Sequence, residues 1–310
     1  MPSSPLVAPL VAVVGPTATG KSDLGVALAL ALDGEVINAD SMQLYRGMDV
    51  GTAKLSLEER RGVPHHLLDV LDITETATVA DFKRLAHDAR DDVWRRGRLP
   101  ILVGGSGLYV RAVIDDLDFP ATDAEVRAEL EAELERKGNA ALHSRLTELD
   151  PLAGAKIPAS NGRRVVRALE VIMITGGPYS AHLPAYLADD SVILVGLAIE
   201  TAPLRARIAG RVDAMWQRGL VEEVRHLAAL GLREGQTARR ALGYQQVLGF
   251  LAGECTEEQA RADTVSATNR FARRQRSWFQ PDPRVHWLPY DAPDLVAQAL
   301  THIRDSAARQ

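Results

Sequence analysis

The sequence predicts an α/β fold: a parallel sheet core flanked by helices, interrupted by an α-helical insertion domain. Short apolar, β-branched runs alternate with stretches whose apolar residues recur at helical spacing. The first run, Val11 to Val14, ends in a glycine-rich turn that opens an apolar helix. Residues 119 to 190 carry helical patterns and no strand-like run, so they separate two strands of one sheet.

The opening stretch, "VAVVGPTATGKSDLGVALALAL", matches G-x-x-x-x-G-K-[ST], the phosphate-binding P-loop. Gly15, Pro16, Thr17, Ala18, Thr19, Gly20, Lys21 and Ser22 form it. Gly15 and Gly20 permit torsions that turn successive amides inward, and the helix start adds unpaired N–H groups. Lys21 supplies a point charge, and the Ser22 hydroxyl suits Mg²⁺. Strand, loop, Lys-Ser pair and helix agree, so a phosphorylated ligand is expected rather than a plain glycine turn.

The next strand candidate, "EVINAD", ends at Asp40. A carboxylate there can hold Mg²⁺, accept a proton or cap a turn. The residues after it, "SMQLYRGMDVGTAK", include Ser41, Gln43, Tyr45 and Thr52, a polar row suited to a planar ligand. In "PHHLLDV", adjacent His65 and His66 point in different directions, so a structural loop role is expected rather than a joint metal site. Val79 to Arg96 reads as a helix, with Phe82, Leu85, Ala89 and Val93 on one face. "PILVGGSGLY" is a strand that ends at Val103 and enters a turn. It lacks the dinucleotide fingerprint, but Gly104 and Gly105 allow close approach and Ser106 offers a hydroxyl. A plain strand-to-helix turn remains the alternative. Ligands of such sheets lie beyond the carboxyl ends of the strands, where the P-loop, Asp40 and Gly104-Gly105 would converge.

The expected division is a P-loop core of residues 1–118 and 191–310, with an insertion at 119–190. The insertion opens on "DAEVRAELEAELERKGNAALHSRLTELDP", with Val126, Leu130 and Leu134 on one face. Long crossover helices within one domain are the alternative. Beyond it, "SVILVGLAIE" and "RVHWLP" read as strands, and residues 203–280 as Arg-rich helices.

The chain has 310 residues, 46% hydrophobic and 25% charged, with a formal charge of −5. A polyanion partner therefore needs a local basic face. Arg163, Arg164 and Arg167 form one cluster. "NRFARRQRSWF" interleaves Arg270, Arg273, Arg274 and Arg276 with aromatic residues, as unstacked bases and phosphates require. A solvated helix face is the commoner meaning of such runs. The single cysteine, Cys255, excludes an internal disulfide and a multi-cysteine zinc site. The apolar N-terminus lacks the basic flank of a secretion signal, and no run approaches the roughly 20 apolar residues of a membrane span. A cytoplasmic monomer is expected.

Together, "GPTATGKS", "NADSMQLYRGMDVGTAK", "PHHLLD", "ILVGGSGLYVRA", "NGRRVVRALEV", "GYQQ" and "RFARRQRSWF" resemble the tRNA dimethylallyltransferase (isopentenyl transferase) family, in that family's order. The resemblance implies a P-loop NTPase-like core whose loop holds the diphosphate of dimethylallyl diphosphate and consumes no ATP. It implies prenyl transfer to N6 of the adenosine 3′ to the anticodon, with a helical insertion gripping the tRNA anticodon stem-loop and the target base flipped from its stack. Asp40 would take the N6 proton, and Gly15 to Ser22 would bind diphosphate with Ser22 on Mg²⁺. Ser106, where the family usually has threonine, and Arg211 would stabilise the leaving oxygen. Asp40, Ser41, Met42, Gln43, Ser106, Arg127, Arg163, Arg164 and Arg167 match tRNA-contacting positions. Rival readings are an adenylate isopentenyltransferase acting on free nucleotide, a P-loop small-molecule kinase and a non-catalytic RNA-binding module.

Overall fold

A computed structural model of the chain describes residues 10–115, 117, 119–120, 122–182 and 192–309. In chain order the elements are β1 (Leu10–Val14), α1 (Lys21–Ala31), β2 (Gly34–Asn38), β3 (His65–His66), α2 (Val79–Arg95), β4 (Leu99–Val103) and α3 (Gly107–Ile114). Next come α4 (Ala124–Leu149), α5 (Pro151–Lys156), α6 (Gly162–Thr175), β5 (Val192–Ala198), α7 (Thr201–Gln217) and α8 (Leu220–Ala229). The chain closes with α9 (Tyr244–Leu251), α10 (Glu257–Phe279), β6 (Val285–Pro289) and α11 (Leu295–Ala307).

The strands form one parallel sheet in the order β3-β2-β4-β1-β5-β6. β1 lies between β4 and β5, with Val13 opposite both Val103 and Val195. Its side chains alternate between two cores. Leu10, Ala12 and Val14 pack with Phe82 and Ala86 of α2 and Val110 and Val113 of α3. Val11 and Val13 pack with Leu24 and Leu28 of α1 and Ala299 and Ile303 of α11. Burial on both faces is why this strand is an unbroken apolar run rather than an alternating one. The P-loop and the turn after β4 therefore leave the sheet at one edge, side by side.

The strands expected after Glu35, Pro100, Val192 and Arg284 are β2, β4, β5 and β6. β3 is a correction: His65 and His66 form an edge strand on β2, paired with Val36 and Ile37, and not a loop. His66 Nε2 meets the buried Glu35 carboxylate at 2.6 Å, and Arg96 Nη2 donates to the same oxygen at 2.6 Å. Burial pushes the Glu35 carboxyl up, but these hydrogen bonds outweigh it and hold it below the ordinary range. Among the described residues no group of three or more histidine, cysteine or carboxylate side chains is placed to hold a metal ion.

Chain contacts divide the protein into two compact units, Met1–Ile114 with Ala188–Gln310, and Asp115–Leu187. The first unit carries the sheet and a further core. In it Met215 of α7, Leu220 and Val224 of α8, and Tyr244 and Val247 of α9 enclose Tyr45 and Met48. The second unit has its own core of Leu130, Leu142, Leu146, Ile157, Val165 and Leu169. Asp123 caps α4 by accepting from the amides of Glu125 and Val126, and Asn161 caps α6 at Arg164 N. The helical path of α4 is broken at Gly138, whose φ of 78° suits glycine. The N-terminal stretch before Leu10 and the proposed 190/191 boundary lie outside the described residues. No helix among the described residues is long and apolar enough to cross a membrane.

Candidate active site

The loop after β1 has the shape its glycines allow. Gly15 adopts a φ of 135°, and a Cβ there would stand 2.9 Å from the Leu197 carbonyl oxygen. Gly20 (φ 91°) begins α1, and Ala18 is left-handed at φ 65°. Thr19 Oγ1 and Lys21 Nζ both donate to the Pro16 carbonyl, at 2.9 and 2.6 Å. Burial, then the nearby Arg211 charge, pushes the Lys21 ammonium down to about 7; Asp40 opposes the shift. A bound polyanion would reverse that balance by giving the ammonium a counter-charge.

Beside the loop opens a cavity of about 390 Å³ lined by Lys21, Ser22, Arg207, Arg211 and Arg218, with Asp23 and Glu59. Arg207 Nε is tied to Ala18 O at 2.6 Å. Lys54 also borders this cavity, but its ammonium is held by Asp49 (2.5 Å), Asp69 (2.6 Å) and the Tyr45 carbonyl (3.0 Å). Its role is to brace the segment after β2. The remaining cations face a space suited to phosphate oxygens. The oxygen donors here are of the kind Mg²⁺ would take where phosphates and waters supply its other ligands. Ser22 offers one such oxygen, and Asp23 lines the same cavity.

A second cavity, about 260 Å³, adjoins the first, because Arg211 lines both. Its walls include Ile208, Val212, Met215, Leu242 and Phe271, with Asp40, Ser41, Met42 and Thr17 on the loop side. Arg240 and Arg274 also reach it. Asp40 is set here by a compact network. Asn38 Oδ1 accepts from Asp40 N at 3.0 Å, Asn38 Nδ2 donates to Asp40 O and Leu67 O, and Asp40 Oδ1 accepts from Met42 N at 2.9 Å. Asp40 thus caps a turn, its Oδ1 taking the Met42 amide, and also lines the cavity. Arg211 Nη2 donates to Thr52 O at 3.2 Å, as does Gln43 Nε2 at 3.2 Å. Burial lowers the Arg211 pKa, with Arg218 acting the same way and Asp40 against it.

Two carboxamide and carboxylate anchors escaped sequence reasoning. Glu223 of α8 accepts from the amides of Asp49, Val50 and Gly51 and from the Tyr244 hydroxyl at 2.5 Å. It thereby shapes the Gly51-Thr52 rim of the apolar cavity. Gln275 of α10 accepts from Thr17 N at 2.8 Å and donates to Gly105 O at 3.0 Å. The hint for Gln275 was the arginine-rich "RFARRQRSWF" run around it; for Glu223 it was only the "GYQQ" motif that holds its partner Tyr244.

Of the expected site residues, Thr17, Asp40, Ser41, Met42 and Arg211 meet in the apolar cavity, and Ala18, Gly20, Lys21, Ser22 and Arg211 in the cationic one. Gln43 faces Thr52. Ser106 lies in the turn between β4 and α3 and lines neither cavity. In the insertion unit Arg163 and Arg164 are exposed. Arg127 and Arg167 differ from them. Their guanidinium groups donate to the fully buried Glu170 at 2.6 and 2.9 Å, and Arg167 also to Pro120 O at 2.7 Å.

A cationic cradle joined to an apolar pocket through one arginine suits a ligand with an anionic head and a short hydrocarbon tail. A carboxylate in the apolar pocket can accept a proton from whatever attacks that tail. A family model described as IPP transferase matches residues 43–282. The tRNA dimethylallyltransferase of Thermobifida fusca is 64% identical over 296 residues, covering 94% of this chain and 93% of its own length. That of Streptomyces avermitilis is 63% identical, covering 96% and 95%. The crystal structure of the full-length tRNA isopentenylpyrophosphate transferase from Bacillus halodurans is 42% identical, with a TM-score of 0.72 and 97% of each chain covered. A eukaryotic dimethylallyltransferase acting on tRNA is 26% identical, with a TM-score of 0.83 over 97% of this chain and 80% of its own. The chain belongs to the IPP transferase family.

Proposed function

We propose that the protein transfers the dimethylallyl group of dimethylallyl diphosphate to N6 of the adenosine 3′ to the anticodon in tRNA, releasing diphosphate. The observation that carries this reading is the junction at Arg211. One side holds the P-loop and cationic side chains; the other holds apolar walls and Asp40. The apolar part of these walls (Ile208, Val212, Met215, Leu242 and Phe271) suits a five-carbon tail, and Asp40 and Ser41 offer polar groups to the amine that attacks it. The relatives named above are tRNA dimethylallyltransferases by name, which supports the transfer of a dimethylallyl group to tRNA.

The chemistry follows from the residues. The allylic carbon–oxygen bond breaks, and its electrons leave on the diphosphate. The P-loop amides, Lys21 and Arg211 are proposed to meet that growing negative charge, and donors aimed at developing charge lower the barrier most. Ser106 is proposed to add a hydroxyl at the bridging oxygen. Ser22 would hold Mg²⁺; when bound, the ion supplies further charge compensation for the leaving diphosphate. On the other side N6 forms the new bond to carbon, and its proton passes to Asp40. An exocyclic amine is a weak nucleophile, so this proton acceptor is worth about 10²–10⁴-fold. The walls that enclose Asp40 also keep water from capturing the electron-poor carbon.

Ser41, Met42 and Gln43 follow Asp40 and are proposed to orient the adenine, while Arg127, Arg163, Arg164 and Arg167 face the anticodon stem-loop. The protein works on this reading as a cytoplasmic monomer. The test offers labelled dimethylallyl diphosphate and Mg²⁺ to unmodified tRNA and to AMP, without ATP. Label is expected in tRNA alone. Label in AMP alone would move the protein to the adenylate-modifying class, and strict dependence on ATP would make it a kinase.

A further inference from the structure

Gln275 is 3% exposed, and its side chain spans two loops that the chain keeps far apart, 258 residues away at Thr17 and 170 at Gly105. We infer that Gln275 is a positioning residue for donor binding, a clamp that fixes the second peptide of the P-loop to the Gly104-Gly105 turn before any ligand arrives. This rests on the reading that a diphosphate occupies the P-loop.

The orientation of the carboxamide is forced by its partners. An N–H at Thr17 needs an acceptor and a carbonyl at Gly105 needs a donor, and only a glutamine facing one way supplies both. Glutamate would set an oxygen against the Gly105 carbonyl, and an apolar side chain would leave that buried carbonyl and the part-buried Thr17 amide without this partner. The glycines confirm how little room the clamp leaves. A Cβ on Gly105 would stand 2.1 Å from Gln275 Nε2 and 3.0 Å from Gly15 O; one on Gly104 would stand 2.4 Å from Ala39 O. Ala39 directly precedes Asp40, and Ala39 N donates to Val103 O at 2.8 Å. The turn therefore touches the P-loop on one side and the Asp40 segment on the other, with Gln275 as the side-chain tie.

Thr17 bears on both functions. Its amide belongs to the phosphate loop, and the residue lines the apolar cavity. With the Thr17 N–H committed to Gln275, the loop keeps one curvature while its other amides remain to meet an anion. A flexible loop would have to be ordered by the ligand, at a cost in affinity. The tie comes from α10, the helix whose "RFARRQRSWF" stretch also sends Phe271 and Arg274 to the apolar cavity. One helix thus sets the loop and a wall of the pocket together.

The experiment compares the full-length protein with Gln275→Met and Gln275→Glu, the second keeping an acceptor for the Thr17 amide while setting an oxygen against the Gly105 carbonyl. Inorganic diphosphate is the probe, measured by calorimetry, alongside steady-state transfer to tRNA. Both variants are expected to bind diphosphate about tenfold more weakly and to raise KM for the prenyl donor similarly, while KM for tRNA stays within about twofold. A purely structural role would reduce the folded fraction, and so the apparent kcat, without moving KM. Folded variants that bind diphosphate as the wild type does overturn the proposal. Should neither variant fold, amide exchange in the unmodified, ligand-free protein decides: the Thr17 N–H is expected to be protected, and fast exchange there overturns it. Wild-type protein that binds diphosphate yet prenylates nothing would sink the functional reading, leaving the clamp to the binding comparison.

Discussion

At the position of Lys21, the Asp40 charge does not offset burial and the nearby Arg211. The ammonium leans on the Pro16 carbonyl, and its pKa is pushed down to about 7. A lysine whose folded pKa is depressed binds fewer protons than the unfolded chain between about pH 7 and the ordinary lysine value, so its penalty to stability shrinks as pH rises through that window. Diphosphate binding should restore the charge. Calorimetry near pH 8 in buffers of different ionisation enthalpy should show up to about one more proton taken up by the wild type than by Lys21→Arg, whose guanidinium stays charged. Equal uptake would place the ammonium outside the diphosphate's reach. Asp40 is the other residue on which the proposed chemistry turns. Asp40→Asn keeps an oxygen for the Met42 amide and loses the base. Transfer in a single turnover is expected to slow by about 10²–10⁴-fold with tRNA binding intact, and an unchanged rate would remove Asp40 from the chemistry. Both residues were legible in the sequence because each follows a strand end within a local pattern. Glu223 and Gln275 were not, since their partners lie far away in the chain and a lone glutamate or glutamine carries no local signature.

Helices and strands show the same divide between local and distant causes. Long apolar runs such as β1, β4 and β5 announce themselves because both faces are buried. β3 did not, because a two-residue edge strand has no room for a pattern and its side chains are half exposed. Within the insertion unit, spacing placed Val126, Leu130 and Leu134 on one face; Leu130 is in its core, and Val126 and Leu134 pack against it partly buried. Spacing could not reveal Glu170, a buried carboxylate in an otherwise apolar stretch of α6. It accepts from Arg127, Arg167 and the Asp123 amide, so it ties α6 to the start of α4. Burial alone would raise its pKa, but these donors outweigh burial and lower it. Asp150, which caps α5, is lowered for a like reason: hydrogen bonds from the Ala153 and Ser180 amides outweigh burial. For a carboxylate with a depressed folded pKa, the stabilisation is full above the unfolded value of about 4 and is lost as pH falls towards the folded one. Glu170→Ala should therefore lower the stability of this unit by about 2–3 kcal/mol at pH 7, with the gap closing on acidification. Chemical denaturation at pH 7 and pH 3 checks it, and an equal loss at both would mean packing, not charge, is at work.

For the molecule as a whole, the formal charge of −5 means that RNA must be met by local basic surface. The arginine pairs divide by role. Arg163 and Arg164 are exposed at the start of α6, whereas Arg127 and Arg167 are oriented by Glu170. Replacing both Arg163 and Arg164 by alanine should weaken tRNA binding and flatten its dependence on salt by up to about two phosphate contacts. An unaltered slope would make them ordinary surface charges. The fold class and the P-loop could be read from the sequence alone, but the meeting of a cationic and an apolar cavity at Arg211 depends on how α7 packs, which no local pattern reports. That meeting is the centre of the account. It is tested most directly by incubating the protein with dimethylallyl diphosphate, Mg²⁺ and an unmodified anticodon hairpin, with no nucleoside triphosphate, and measuring released diphosphate against N6-prenylated adenosine in the digested RNA. The account predicts that the two appear in equal amounts. Diphosphate released with no modified adenosine, or no reaction until ATP is added, would contradict it.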